Sequence, residues 1–438
     1  MKDMELKKGN PIALVPLAVF LVLFLGSGIY FNSIGAEMAF YQFPSPVAAT
    51  VGVIVAFFIG KKSMGEKVDS FMAGAGNENI MTMCIIYILA GGFSAVASSM
   101  GGVDSIVNFG LSIIPPSFIV PGLFLIAAFI ATAMGTSMGT IGAVVPIAVS
   151  MASAADIPVA ISVGAVVGGA LFGDNLSMIS DTTIAATRTQ GCEMKDKFVM
   201  NFKIALPAAV LSMVIMAVLG SRGEVPSDLE YSLLKIIPYI SVLVMALMKV
   251  NVFVVLFTGT ALAGAIGLWD GSFSPIALAQ TTYEGYQGMM EIFLLSILIG
   301  GLANMMSEEG GIDYLIHVIK KRIKSRKGAE YGIGALVSIA DICTANNTVA
   351  IVLTGSMAKK VSEEYDVDPR RSASILDIFS CVFQGIIPYG AQLLLAGSIA
   401  KLSPVELMPY LYYPYILGVI TILAIALGFP NAKNRPGN

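Results

Sequence analysis

The chain has 438 residues, of which 56% are hydrophobic and 13% charged, with a formal net charge of −3 at pH 7 and a mean hydropathy of +0.81. These values exclude a soluble globular domain, and the near balance of charge leaves no footprint for a nucleic acid partner. A spanning helix needs about 20 mostly apolar residues; such runs recur along the whole chain with no appended soluble domain, which predicts a single all-α polytopic membrane domain over residues 1–438.

The first run, residues 12–34, follows Lys2, Lys7 and Lys8. It is longer than a signal-peptide core and lacks a small-x-small cleavage site, so it reads as a retained first helix. Further apolar runs lie near 44–60, 79–100, 117–155, 158–188, 204–220, 232–248, 251–269, 289–307, 331–358, 372–399 and 410–429. Lysine and arginine orient the loops between them. With a cytoplasmic N-terminus, and with the runs at 117–155 and 331–358 each entering and leaving on one side, all of the 26 basic residues except Arg222, Lys235 and Lys401 fall in cytoplasmic segments. The loop carrying Arg188, Lys195, Lys197 and Lys203 is one of these. The division predicts about ten transmembrane helices plus two re-entrant hairpins, both termini in the cytoplasm, and a multi-pass protein of the cell inner membrane.

Several features read as structural. Cys84, Cys192, Cys343 and Cys381 have no paired spacing and read as packing residues. The 24 methionines and 45 glycines fit close membrane packing. His317 stands beside a run of lysines and arginines and reads as part of a solvated or headgroup-facing surface. Asp104 and Asn108 sit at an outer loop or gate, and Glu291 opens a span near the external surface.

"GTSMGTIGAVVPIA", from Gly135, and "CTANNTVAIVLTGS", from Cys343, both contain T-x-x-x-T, aligning Thr136 and Thr140 with Thr344 and Thr348 at an offset of 208. Each lies mid-run and is followed by a segment opening near a proline, Pro158 or Pro369. Nineteen residues later each segment has a break, at Ser177 and at Pro388. In the charge-derived topology one unit enters from outside and the other from the cytoplasm. The expectation is an inverted repeat with interrupted helices, unit one about 79–220 and unit two about 289–429, an architecture of secondary transporters. Non-helical backbone within hydrocarbon is tolerated only where protein or a water-filled cavity satisfies it, and a break frees carbonyls at one half-helix and N–H groups at the other. The carbonyl end suits a cation and the N–H end an anion.

In "FGDNLSMISDTTIAATR", Asp174 and Asp181 are seven residues apart and share nearly one face of a helix. With Asn175, Ser177, Ser180, Thr182 and Thr183 they offer hard oxygen ligands for a small cation, sodium above all. A carboxylate there can instead cap the half-helix near Thr182 or pair with Arg188. For a substrate the candidates are Thr136, Ser137 and Thr140 at the first tip, Asp341, Thr344, Asn346, Asn347 and Thr348 at the second, and Asp377 and Gln384 on the helix leading to Pro388. The asparagines have carbonyl oxygens for a cation and amide donors for a carboxylate; their bland alternative is interhelical hydrogen bonding.

At "GDNLSMISDTT" the sequence resembles the NhaC family of sodium/proton antiporters, whose motif reads approximately G-D-N-L-S-P-I-S-D-T-T; "AMGTSMGTIGAVVPIA" is similar to the upstream family segment. The resemblance implies membership of the broader ion transporter superfamily, a homodimer, and a mobile transport domain of hairpins and broken helices held by a scaffold. It also implies that Asp174, Asn175, Ser177, Asp181 and Thr182 are the positions for sodium. Met178 departs from the family proline, which softens the expected interruption. No H-E-x-x-H occurs, and Asp174 sits in "LFGD" rather than G-x-G-D, so no enzyme is expected, nor any chemical cofactor beyond the coupling ion. The expected activity is secondary active exchange of sodium for protons; the alternative is sodium- or proton-coupled transport of an amino acid or small organic acid.

Overall fold

The computed structural model describes residues 9–34, 36, 42–113, 115, 118–178, 180–219, 230–248 and 250–430. The extreme termini, Arg222 and Lys249 lie outside the described residues, and with them the placement of the chain ends. All regular structure among the described residues is helical. Seven helical stretches are long and apolar enough to cross a membrane, or eight if the bent pair Pro404–Tyr410 and Tyr412–Leu427 is one span, and four apolar helices are shorter.

Two sections share one element order. In the first, Ile119–Met134 and Ser137–Ala154 form a hairpin, followed by a helix interrupted between Val159–Leu176 and Asp181–Gln190. In the second, the hairpin is Arg326–Thr344 with Asn347–Glu364, and the interrupted helix is Pro369–Gln384 with Ala391–Ala400. The starts of the second hairpin arms, Ser137 and Asn347, are 210 apart (347 minus 137), and so are their ends, Ala154 and Glu364. The same interval separates the left-handed residues Gly135 and Ala345, Asp156 and Asp366, and Gly191 and Lys401. The spatial register is therefore 210, not the 208 of the T-x-x-x-T match: Thr136 caps its helix, whereas Thr344 ends the preceding one. A left-handed residue closing the first arm sets this register, and small hydroxylated residues on either side do not.

The two sections interlock crosswise. The half-helix Ala391–Ala400 packs on Ser137–Ala154 of the opposite hairpin, and Asp181–Gln190 packs on Asn347–Glu364. Outside them the exchange repeats, Met64–Ala75 lying on Met290–Glu308 and Pro275–Gln287 on Glu78–Ser99. At those two crossings bare glycine backbones meet, Gly74 against Gly300 and Gly285 against Gly91, the small-residue contact that lets membrane helices approach closely.

The tightest approach that positions the site is between Ile119–Met134 and Val159–Leu176, where a Cβ on Gly169 would run into the Phe124 carbonyl oxygen. Alanine gains up to about 1 kcal/mol of helix propensity over glycine, but overpacking costs about 1–3 kcal/mol and here meets immovable backbone. Gly169→Ala is expected to lower the melting temperature of the detergent-solubilised protein; an unchanged or higher one would show that the two helices can part.

Candidate functional site

The first interruption is built by hydroxyls. Val159–Leu176 ends with Ser177 extended, and Ser180 caps the next half-helix by accepting from the Thr183 N–H. The Ser180 hydroxyl donates to Thr183 Oγ1 (2.9 Å), and the Thr183 hydroxyl donates to the Ser177 carbonyl (2.7 Å). Met178, where a proline was the family expectation, is half-exposed; the break stands without it because serine and threonine side chains supply the partners the helix no longer does.

The carbonyl freed at Asn175 is answered by a lysine. Lys197, on Met194–Leu219, is 0% exposed, so it is not the loop cation that the charge division made it. Its ammonium donates to the Asn175 carbonyl (2.9 Å) and to Thr183 Oγ1 (2.6 Å), and pairs with Asp377 Oδ2 at 2.8 Å. Asn201, one turn on, donates its Nδ2 to the same Asn175 carbonyl (2.9 Å) and the same Asp377 oxygen (2.7 Å). Two donors thus bridge two acceptors and tie the first interrupted helix to the opposite one. Breaking a buried pair by removing one partner costs about 3–5 kcal/mol.

The second interruption spans Gly385 to Gly390. Gln384 Nε2 donates to Gln392 Oε1 (2.8 Å) and lies 3.3 Å from the Ala345 carbonyl at the second tip. Gln392 donates to Ser137 Oγ at the first tip (3.2 Å), and Ser137 donates to Asp174 Oδ2 (3.3 Å). One hydrogen-bonded chain therefore runs through both tips and both interrupted helices. In the 210 register, Asp174 corresponds to Gln384, Thr182 to Gln392, and Thr136 and Ser137 to Asn346 and Asn347.

Between these four elements lies a cavity of about 90 Å³, lined by Thr136, Ser137, Asp174, Asp181, Thr182, Asn346, Asn347, Thr348, Gln384 and Gln392, with Thr82, Met83, Ile86, Gly135 and Met138. Among the described residues, no lysine, arginine or histidine lines it. A second cavity of about 290 Å³ borders Asn77, Asn304, Ser307, Thr344 and Asn346, so Asn346 at the second tip faces both.

Other residues singled out in the sequence stand elsewhere. Asn175 donates to the Tyr413 hydroxyl (3.1 Å), and Thr140 to the Thr136 carbonyl (3.0 Å). Ser177 is buried and its carbonyl is taken by Thr183. Thr344 borders only the larger cavity. Asp377 is committed to Lys197 and Asn201, and Asp341 is fully buried with neither carboxylate oxygen hydrogen-bonded among the described residues. Sequence reasoning missed Gln392, Asn201 and Lys197. A signal for the last two was present: Lys197, Met200, Asn201, Ile204 and Ala208 fall on one buried helical stripe, which places both polar groups on the inward face.

Comparison with known proteins identifies a family and several relatives. The Na+/H+ antiporter family model matches residues 6–221 and 227–431. The arginine/ornithine antiporter ArcD of Halobacterium salinarum is 23% identical, the match covering 98% of this chain and 94% of ArcD. The malate-2H(+)/Na(+)-lactate antiporter of Bacillus subtilis is 21% identical over 95% of this chain and 94% of that protein. The Na(+)/H(+) antiporter NhaC of the same bacterium is 23% identical over 80% and 83%. The sequence motif, the helical fold and the family match agree: this multi-pass membrane chain is a secondary transporter that belongs to the Na+/H+ antiporter family.

Proposed function

We propose that the chain exchanges sodium for protons by alternating access, at the cavity where two hairpin tips meet two interrupted helices. The observation that carries this reading is the charge of that cavity: Asp174 and Asp181 line it, and no basic side chain among the described residues does. Asp174 is buried, with the Ser137 hydroxyl donating to it, and a carboxylate deep in a membrane protein is costly, so the site favours states in which a proton or a small cation neutralises it. Sodium and protons then compete for the same oxygens. Either loaded form can cross, the empty charged form cannot, and the restriction enforces exchange.

In this reading Asp174, Asp181 and Thr182 supply oxygens to sodium, and Ser137 orients Asp174. Ser177 and Asn175 act through backbone, holding the interruption open. The sections at 119–190 and 326–400 act as oppositely oriented units with re-entrant hairpins in an inner membrane, an arrangement supported by the crosswise packing and by the positive-inside division of the loops. The volume suits a cation with a few waters, since one water needs only about 10–15 Å³ on such a measure.

A second reading, exchange of an organic solute, is favoured by one observation. The half-helix Ala391–Ala400 begins at Gly390 with no side-chain cap, and Asn347 and Gln392 offer amides beside it; free N–H groups and amides can receive a carboxylate. Two of the relatives are named for amino acid or organic acid antiport.

Two experiments in proteoliposomes with an internal pH dye test the proposal. External sodium alone is expected to drive proton efflux, and Asp174→Asn to reduce it at least about tenfold through loss of a charged ligand. Movement of protons only when arginine, ornithine or a dicarboxylate is supplied would replace simple exchange with the second reading. In Gln392→Ala, which interrupts the hydrogen-bonded chain to Ser137, a lost bond of about 1 kcal/mol should raise the half-saturating sodium concentration about fivefold. An unaltered sodium dependence would remove Gln392 from the site.

A further inference from the structure

Lys197 is a buried cation that the proposed exchange does not use, and its surroundings are those of a cation site. All three of its partners are oxygens: a main-chain carbonyl released by the helix interruption, a hydroxyl and a carboxylate. An ammonium has three N–H donors, and Lys197 spends them on these three. Yet the cluster holds more acceptors than the lysine and Asn201 can answer. Among the described residues, Asp377 Oδ1, Asn175 Oδ1 and Asn201 Oδ1 are all buried without a hydrogen-bond partner, on residues at most 1% exposed. Carbonyl, hydroxyl and carboxylate oxygens with no nitrogen or sulfur ligand are the donor set of a hard cation.

We infer that the Lys197 ammonium is a resident, covalently tethered cation standing in a second monovalent-cation position, so that one exchangeable cation, not two, accompanies each transport cycle. Every interrupted helix presents unpartnered carbonyls at its broken end, and a transporter can neutralise them with a bound ion or with a side chain. Here the side chain does it at Asn175, while Asp174, one residue earlier, faces the cavity. The tethered charge never leaves, so the clamp between Asn175 and Asp377 persists whether the cavity is loaded or empty. The inference rests on the proposed cation cavity only for what it says about stoichiometry; the vacated position itself is read by binding, without transport.

The test is Lys197→Ala in purified, detergent-solubilised protein, with sodium or potassium replaced by choline at constant ionic strength. The expected result is one additional sodium-22 or rubidium-86 ion bound per chain relative to wild type. A melting temperature that rises more steeply than that of wild type between about 1 mM and about 100 mM of the bound cation is expected with it. A Lys197→Ala protein that unfolds in choline but is recovered by sodium or potassium gives the same answer. Adding Asp377→Asn should abolish the extra ion while removing the unpaired buried carboxylate, which makes this double variant the folded control. Failure of both cations to bind or to restore the Lys197→Ala protein, with the double variant folded, would overturn the inference and leave Lys197 a structural ion pair. Absence of sodium-driven proton flux in wild type is a separate result and would strike the proposed exchange alone.

Discussion

The structure depends on how a membrane helix can be interrupted without leaving its backbone unsatisfied. Each polar backbone group stranded in hydrocarbon costs several kcal/mol, so a break is possible only where other groups reach it. Around residues 177–180 they do: Thr183 takes up the Ser177 carbonyl, and Lys197 and Asn201 take up Asn175. Those contacts leave the side chain of Asp174 directed to the cavity instead of spent on repairing the helix.

The second interruption solves the same problem with neutral groups. Gln384 and Gln392 pair with each other and reach both hairpin tips, at positions where the first section has Asp174 and Thr182. Two geometrically matched halves therefore carry unequal charge. Carboxylates line one side of the cavity, and amide side chains the other. The same asymmetry appears in the helices that follow, because Met194–Leu219 is continuous and carries Lys197, whereas its counterpart is bent by 56° between Pro404–Tyr410 and Tyr412–Leu427.

The crosswise packing makes the cavity a property of both sections together. Each short half-helix rests on the hairpin of the other section, so neither section lines the cavity by itself. Asn346 is the residue that faces both cavities, and it follows Ala345, a non-glycine residue in the left-handed region at φ 50. Such a conformation costs of order 1–3 kcal/mol and persists only where the surroundings hold it; here the Ala345 carbonyl lies within reach of Gln384.

Much of this was legible in the residues themselves. Composition and run length determine a polytopic helical membrane protein, because hydrocarbon admits little else. "GDNLSMISD" marks the interruption, since polar groups survive in such a run only with partners or a function. The tertiary structure alone decided which of those groups meet. Asp174, Asn346 and Gln384 converge because helices far apart in sequence are packed against one another, and nothing in local pattern encodes that distance. It also decided that Lys197 is internal: a positive charge near a helix end obeys the loop rule by default, and only the buried carbonyl of Asn175 and the carboxylate of Asp377, brought to it by folding, make burial the more stable position.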